Sequence, residues 1–385
     1  MSEPTPYIIL TVTNDLSYDQ RMQRICRSLV SFGYRVTLVG RRTPQSIPLT
    51  EEPFQQVRLE VPYHKGKAFY LAYNRKLYKW LQQEVSSQPN LRIAICAIDL
   101  DTIVPCYYIS RKYGLPRLYD AHELFTELTE VKRRAGVAAV WKLIERIYVK
   151  RYLFGYTVNQ FIKEELHNRY KVNYEVVRNM PLHYTYHSQQ VDLKNITLPE
   201  NYFLYQGAVN EGRAFDSLIP AMKNVRIPLV IVGHGNYYRE VEELIKTHQL
   251  EHKVIMTGYL PPSQLRNITP KAFAGITLFD NTGLNQYYSL ANRFFDYVQA
   301  GIPQLCNQYP EYVALNNQYE VAHLIPTTQP NAIAEALNKL IDDDVLYARL
   351  KQATALAAAE WCWEKESEQL QKIWNKILPI TSSPI

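Results

Sequence analysis

The sequence predicts an α/β protein of two Rossmann-like, doubly wound domains in series, and three observations lead there. Short apolar runs alternate with helical patterns from residue 7 onward. A polar, aperiodic stretch, "HYTYHSQQVDLKNITLPEN" (183–201), breaks that rhythm once, and the alternation then restarts. A length of 385 residues is too great for one small domain and suits two.

In order, "YIILTVTN" reads as a strand, "DQRMQRICRSLVSFG" as a helix and "YRVTLVG" as a strand. A strand near 57–62, a long helix over 68–85 and the strand "RIAICAI" follow. The helix "TIVPCYYISRKYG" leads to the strand "PRLYDAH", then a basic helix across 137–153 and the strands "YTVNQ" and "YEVVRNM". Strands joined through helices read as a parallel sheet. After the polar stretch come the strands "YFLYQG", "PLVIVG", "KVIMTGYL", "AGITLFD" and "IPQLCN", each followed by a helical pattern. The amphipathic tail is long enough to cross back onto the first domain. The expected boundaries are 1–185, 186–360 and 361–385.

Composition bounds the class. Hydrophobic residues at 46% and charged ones at 21% suit buried cores. Five scattered cysteines without a Cys-x-x-Cys fit a reducing cytoplasm rather than a disulfide framework or zinc site. Neither a secretory leader nor an apolar run of ~18 residues is evident. Residues 1–185 carry 27 Lys and Arg against 17 Asp and Glu, whereas the remainder carries 16 against 20. A basic half beside an acidic one points to an anionic contact for the first domain. The cation-and-aromatic mixture of "KRRAGVAAVWKLIERIYVKRYLFGY" (132–156) suits a peripheral membrane interface or a plain solvated face. Nucleic acid is disfavoured, because no binding module is visible.

The second domain places small or polar groups at its strand ends: Gly207 before "AVNEGR", Gly233-His234-Gly235, and Gly258. Glycine lets a ligand approach the backbone, and Arg213 suits a diphosphate, although alone it reads equally as a surface residue. The stretch "YYSLANRFFDYVQAGIP" reads as a helix opening on Ser-Leu-Ala-Asn. Ser289 and Asp296 are seven residues apart, so they return to one helical face ~10 Å apart, about the reach from a diphosphate to its ribose. A carboxylate among Phe294, Phe295, Tyr297 and Val298 needs donors, which a ribose diol supplies. "DLD" at 99–101 reads as a helix N-cap at Asp101 rather than a metal motif.

Together "YQGAVNEGRAFDSLIPAM", "VGHG", "TGYLPPSQL" and "YYSLANRFFDYVQAGIPQL" resemble the donor domain of family-4 type retaining glycosyltransferases of the GT-B fold (glycosyl transferases group 1). "NDLSYDQRMQRICRSLVSFGYRVTLVG" and "YDAHELFTE" are similar to the corresponding acceptor-domain segments, and "EWCWEKESEQLQKIW" to the helix that returns to the first domain. The resemblance implies transfer from a nucleotide-sugar, a UDP- or GDP-sugar, to a glycan or lipid-linked acceptor. It implies retention of configuration, no cofactor and no bound metal.

Carried over residue by residue, Asp296 matches the ribose-binding carboxylate and His122 the histidine that touches the transferred sugar. Glu123 beside it binds a hydroxyl or caps the turn. Donor contacts fall on Gly207, Arg213, Gly233, His234, Gly258, Tyr288, Ser289, Leu290, Asn292 and Asp296. The loop residues Asp15, Asp19 and Arg21 reach phosphate or acceptor, with helix capping an equal account of Asp19. The family's second acidic position falls on Tyr288, and Asp296 replaces its usual Glu. A sugar-nucleotide epimerase or hydrolase on the same fold, or a non-catalytic nucleotide-sugar-binding partner, are the competing readings.

Overall fold

The computed structural model describes residues 4–17, 19–183 and 197–380. The chain forms two compact units, one of Met1–Asn179 with Glu366–Ile385 and one of Met180–Lys365. Of the expected linker, residues 184–196 lie outside the described residues.

The first unit holds seven strands: β1 (Tyr7–Asp15), β2 (Arg35–Arg41), β3 (Gln55–Leu59), β4 (Ile93–Ile98), β5 (Arg117–Ala121), β6 (Phe154–Thr157) and β7 (Glu175–Val176). They form one parallel sheet in the order β3-β2-β1-β4-β5-β6-β7. The central strands are apolar without alternation because helices cover both faces; every residue of β4 is buried. Leu10 of β1 lies opposite both Leu38 of β2 and Cys96 of β4. The helix Gln20–Ser31 starts at Asp19, whose carboxylate accepts from Met22 N–H. Glu366–Ile385 belongs to this unit, as the sequence predicts for its returning tail. Trp374 is buried there beside Tyr34, with ring centroids 6.5 Å apart.

The second unit holds β8 (Phe203–Gln206), β9 (Leu229–Val232), β10 (Val254–Gly258), β11 (Ala274–Thr277), β12 (Gln304–Asn307) and β13 (Ala322–Ile325). Their parallel order, β10-β9-β8-β11-β12-β13, repeats the Rossmann arrangement of the first unit. The predicted fold class of two doubly wound α/β domains stands. In each unit the strand order reverses beside its first strand, between β1 and β4 and between β8 and β11, where such sheets take ligands.

Three local expectations change. β13 is a sixth strand beyond the five expected; its "AHLI" is short and half-buried at the sheet edge. The helix expected from Ser289 runs instead over Asn292–Gln299, with Ala291 before it. Asp101 is not a helix cap either: the helix Ile103–Tyr113 starts after Thr102, and the Asp101 carboxylate takes the Thr13 hydroxyl.

Candidate functional site

In the second unit the three strand-end glycines lie side by side. Gly207 N–H donates to Val232 carbonyl at the end of β9, and Gly233 N–H donates to Gly258 carbonyl at the end of β10. Gly233 sits so close to its neighbour that a Cβ there would meet the Gly207 carbonyl oxygen at 1.8 Å. Gly207 has open space where its Cβ would be, so the backbone at the tip of β8 is approachable.

The loop after Gly207 is laced to its surroundings. Val209 N–H donates to His234 carbonyl, Tyr237 N–H donates to Val209 carbonyl, and Asn236 N–H donates to Asn210 Oδ1. On the β11 side, Asp280 N–H donates to Gly212 carbonyl and Asp280 Oδ2 accepts from Ala214 N–H at 3.2 Å. Arg213 between them is thereby held, its guanidinium 4.4 Å from the centre of the Phe279 ring. His234 itself is exposed and stacks on Tyr238 at 4.7 Å.

The helix Asn292–Gln299 is pinned by Tyr297, whose hydroxyl donates to Leu204 carbonyl and accepts from Gln206 N–H. Packing there is tight: a Cβ on Gly275 would fall 2.3 Å from the Tyr297 ring. That anchor sets Asp296 and Arg293 beside the end of β8. Asp296 is half-buried and its Oδ2 accepts from Gln206 Nε2 at 3.1 Å, while Thr269 donates to the other end of Gln206. The carboxylate is therefore not left among apolar groups, as its neighbours in sequence suggest. Ser289 departs from expectation, because it lies before the helix and its hydroxyl donates to Gln286 carbonyl at 2.7 Å. It shares no helical face with Asp296. Leu290 packs against the core, Tyr288 lies against Tyr287, and Asn292 is exposed at the helix entrance.

Sequence reasoning passes over Arg293. It is only 7% exposed, with its guanidinium 4.2 Å from the centre of the Tyr205 ring and 5.5 Å from that of Phe279. No carboxylate among the described residues pairs with it, and its Nη1 is buried without a hydrogen-bond partner. Ring faces return roughly 1–2 kcal/mol to a desolvated cation, against a burial cost of several. Arg213 and Arg293 flank the same Phe279 ring, which keeps them within about 10 Å of each other. At an effective dielectric of about 20 their repulsion is on the order of 1–2 kcal/mol. An anion beside them removes both costs. The signal was available: the i, i+4 spacing of 293 and 297 puts Arg293 on the stripe that carries buried Tyr297. Asp280, which fixes the Arg213 loop, carries no local sequence signal.

The first unit gathers a second constellation. His122 follows β5; its Nε2 lies 3.0 Å from Asp120 Oδ2 and 3.1 Å from Arg21 Nε, and its Nδ1 lies 3.6 Å from Asp99 Oδ2. Its backbone N–H donates to Asp99 Oδ1. Burial opposes a charged imidazole, but Asp120 and Asp99 outweigh it and raise His122 to about 9. Burial likewise pushes Asp99 up to about 7 and Asp101 to about 6, whereas His122 and Arg21 overcome it at Asp120 and hold that carboxyl below its usual range.

Arg21 does not reach outward as expected. It is buried, bonded to Asp120 and the Val177 carbonyl, with its Nε 3.1 Å from His122 Nε2. Asp15 is also committed, to Arg58 at 2.8 Å and to Ser17, Thr43 and Ser46; these contacts outweigh its burial and lower its pKa. Asp19 caps its helix. Glu123 is half-buried next to His122.

Comparison with known proteins bears on the family of the second unit and on the fold. Residues 189–356 match the model of the family Glycosyl transferases group 1. No curated protein matches the sequence. Among solved structures, sucrose-phosphate synthase from Thermosynechococcus elongatus superposes with a TM-score of 0.78 at 15% identity, covering 97% of this chain and 99% of that one. A glycosyltransferase from Rickettsia africae ESF-5 gives 0.72 at 13% identity, over 98% and 100%. Anabaena HepE, solved in complex with UDP-glucose, gives 0.72 at 12% identity, over 96% and 99%. Most of the second unit thus matches the Glycosyl transferases group 1 model, in a chain whose two Rossmann-like units have the fold of the GT-B glycosyltransferases.

Proposed function

We propose that this protein is a cytoplasmic glycosyltransferase that moves a sugar from a nucleotide-sugar to a glycan or lipid-linked acceptor, with retention at the anomeric carbon and without a bound metal. The observation that carries the reading is Arg293, a buried cation without an anion at the β8–β11 crevice. A diphosphate supplies the missing charge. Arg293, Arg213 and the positive end of the helix Asn292–Gln299 hold it, and stabilise it further as it becomes the leaving group. Asp296, oriented by Gln206, accepts from the ribose hydroxyls. His122, with Glu123, serves the transferred sugar. Retention follows from attack on the face the phosphate leaves, assisted by that phosphate. A UDP-sugar is the first choice, supported by HepE, which was solved with UDP and with UDP-glucose; a GDP-sugar is the second.

The test is thermal unfolding of the full chain in EDTA with UDP, GDP, ADP, CDP and TDP in turn. A ligand at ~100 times its Kd adds about 2.7 kcal/mol, so one nucleotide raises the melting temperature by several degrees. A melt unmoved by all five overturns the donor assignment. Donor hydrolysis with no acceptor present moves the protein to the hydrolase class.

A further inference from the structure

The helix Ala135–Tyr148 buries Trp141 and Glu145 and turns its opposite side outward. At ~100° per residue, Leu143 points about opposite the buried pair and Val140 lies ~60° to one side of it, with Lys142 and Arg146 on the other flank. Val140 is 56% and Leu143 58% exposed, and Val137 is also exposed. Past the helix end, Leu153 is 78% exposed and Phe154 lies open beside it.

The charge on this stretch is of one sign. Between Val131 and Arg151 there are seven Lys and Arg residues, and Glu145 is the only acid. That acid faces inward, accepting from Thr126 and Tyr170. Lys142, Arg146 and Lys150 are exposed and pair with no acid among the described residues. A helix that merely faces water mixes both signs and keeps large apolar groups inside. Here open aliphatic side chains stand among unpaired cations.

We propose that this face docks on an anionic lipid bilayer, with Val140 and Leu143 entering the headgroup–acyl boundary and Lys142, Arg146 and Lys150 at the level of the lipid phosphates. Aliphatic insertion and cation pairing are both needed, because a polyanion in solution uses only the second. The proposal stands apart from the donor assignment, since it concerns a different surface and needs no turnover.

The test is co-sedimentation of the full chain with vesicles of phosphatidylcholine alone and of phosphatidylcholine with phosphatidylglycerol, at low and high salt. The wild type should pellet with the anionic vesicles only, and less at high salt. Each cation near an anionic leaflet is worth about fivefold in partitioning, so the Lys142→Gln, Arg146→Gln pair should cost more than about tenfold. Val140→Gln with Leu143→Gln should weaken binding about tenfold or more. All four side chains are exposed, so melting temperatures should not move. Absence of binding to anionic vesicles overturns the proposal. Equal vesicle binding by the Val140, Leu143 variant, with equal retention of both proteins on heparin, overturns it in favour of a general polyanion site. A wild type that self-associates where that variant does not, with neither binding vesicles, overturns it in favour of a second copy of the chain.

Discussion

A guanidinium buried without a carboxylate weakens the fold that holds it, so Arg293 separates ligand binding from stability. Arg293→Met keeps the volume and the ring contacts to Tyr205 and Phe279 while removing the desolvated charge. The expected outcome is an unliganded melting temperature equal to or above the wild type, with the nucleotide-induced rise abolished. A variant that melts several degrees lower and still responds to nucleotide makes Arg293 structural. His122 offers a second separation at this scale. Its folded pKa near 9 exceeds the ordinary 6.5, so the charged imidazole adds stability in full below about pH 6.5 and loses it as pH rises through 9. Nuclear magnetic resonance of the ring should find a midpoint well above 6.5. Asp120→Asn should bring it down, because Asp120 is the leading charge that raises it. A wild-type midpoint at or below 6.5 overturns the ion-pair description.

At the scale of the element, the strand-end glycines are not equivalent. A methyl at Gly233 meets the Gly207 carbonyl at 1.8 Å, and the residue's φ of +148° disfavours a side chain as well. Gly258 has φ of +73° but nothing nearer than the Tyr238 hydroxyl at 4.0 Å. Gly233→Ala should therefore cost about 2–4 kcal/mol in urea unfolding and Gly258→Ala about 1 kcal/mol; equal costs would mean that strain, not crowding, selects these residues. Such glycines are legible in the sequence because they punctuate continuous apolar strands, and both sheets were legible for the same reason. What escaped depends on distant partners. Ser289 looks like a helix opening, yet its hydroxyl is spent on Gln286 and the entrance at Ala291 has no side-chain cap. β13 carries the half-buried His323 and Leu324 at an edge, too short to set a pattern. Arg21 and Asp15 read as loop residues because their partners, Asp120 and Arg58, lie 99 and 43 positions away. Asp19, by contrast, caps within three residues, and its role could be read locally.

At the scale of the whole molecule, the chain leaves its first unit at Asn179 and re-enters it at Glu366. The return is structural: Glu366 accepts from Arg178 N–H, the Tyr34 hydroxyl reaches Asn375 Oδ1 and the Leu378 carbonyl, and Leu370, Ile373, Trp374, Ile377 and Leu378 are buried. Each of these apolar side chains is worth roughly 1.5–3 kcal/mol, and together they rival the 5–15 kcal/mol that holds an ordinary domain folded. The second unit contains its own cores and every residue assigned to the diphosphate and ribose. A chain ending at Lys365 should therefore lose the first unit's transition in calorimetry and keep the second's, and nucleotide should still raise the surviving transition. Survival of both transitions would show that the returning segment decorates the first unit rather than completing it. A surviving transition that nucleotide no longer moves, when the full chain does respond, would show that nucleotide binding needs a folded first unit, and the phosphate contacts assigned to Arg213 and Arg293 would then be insufficient.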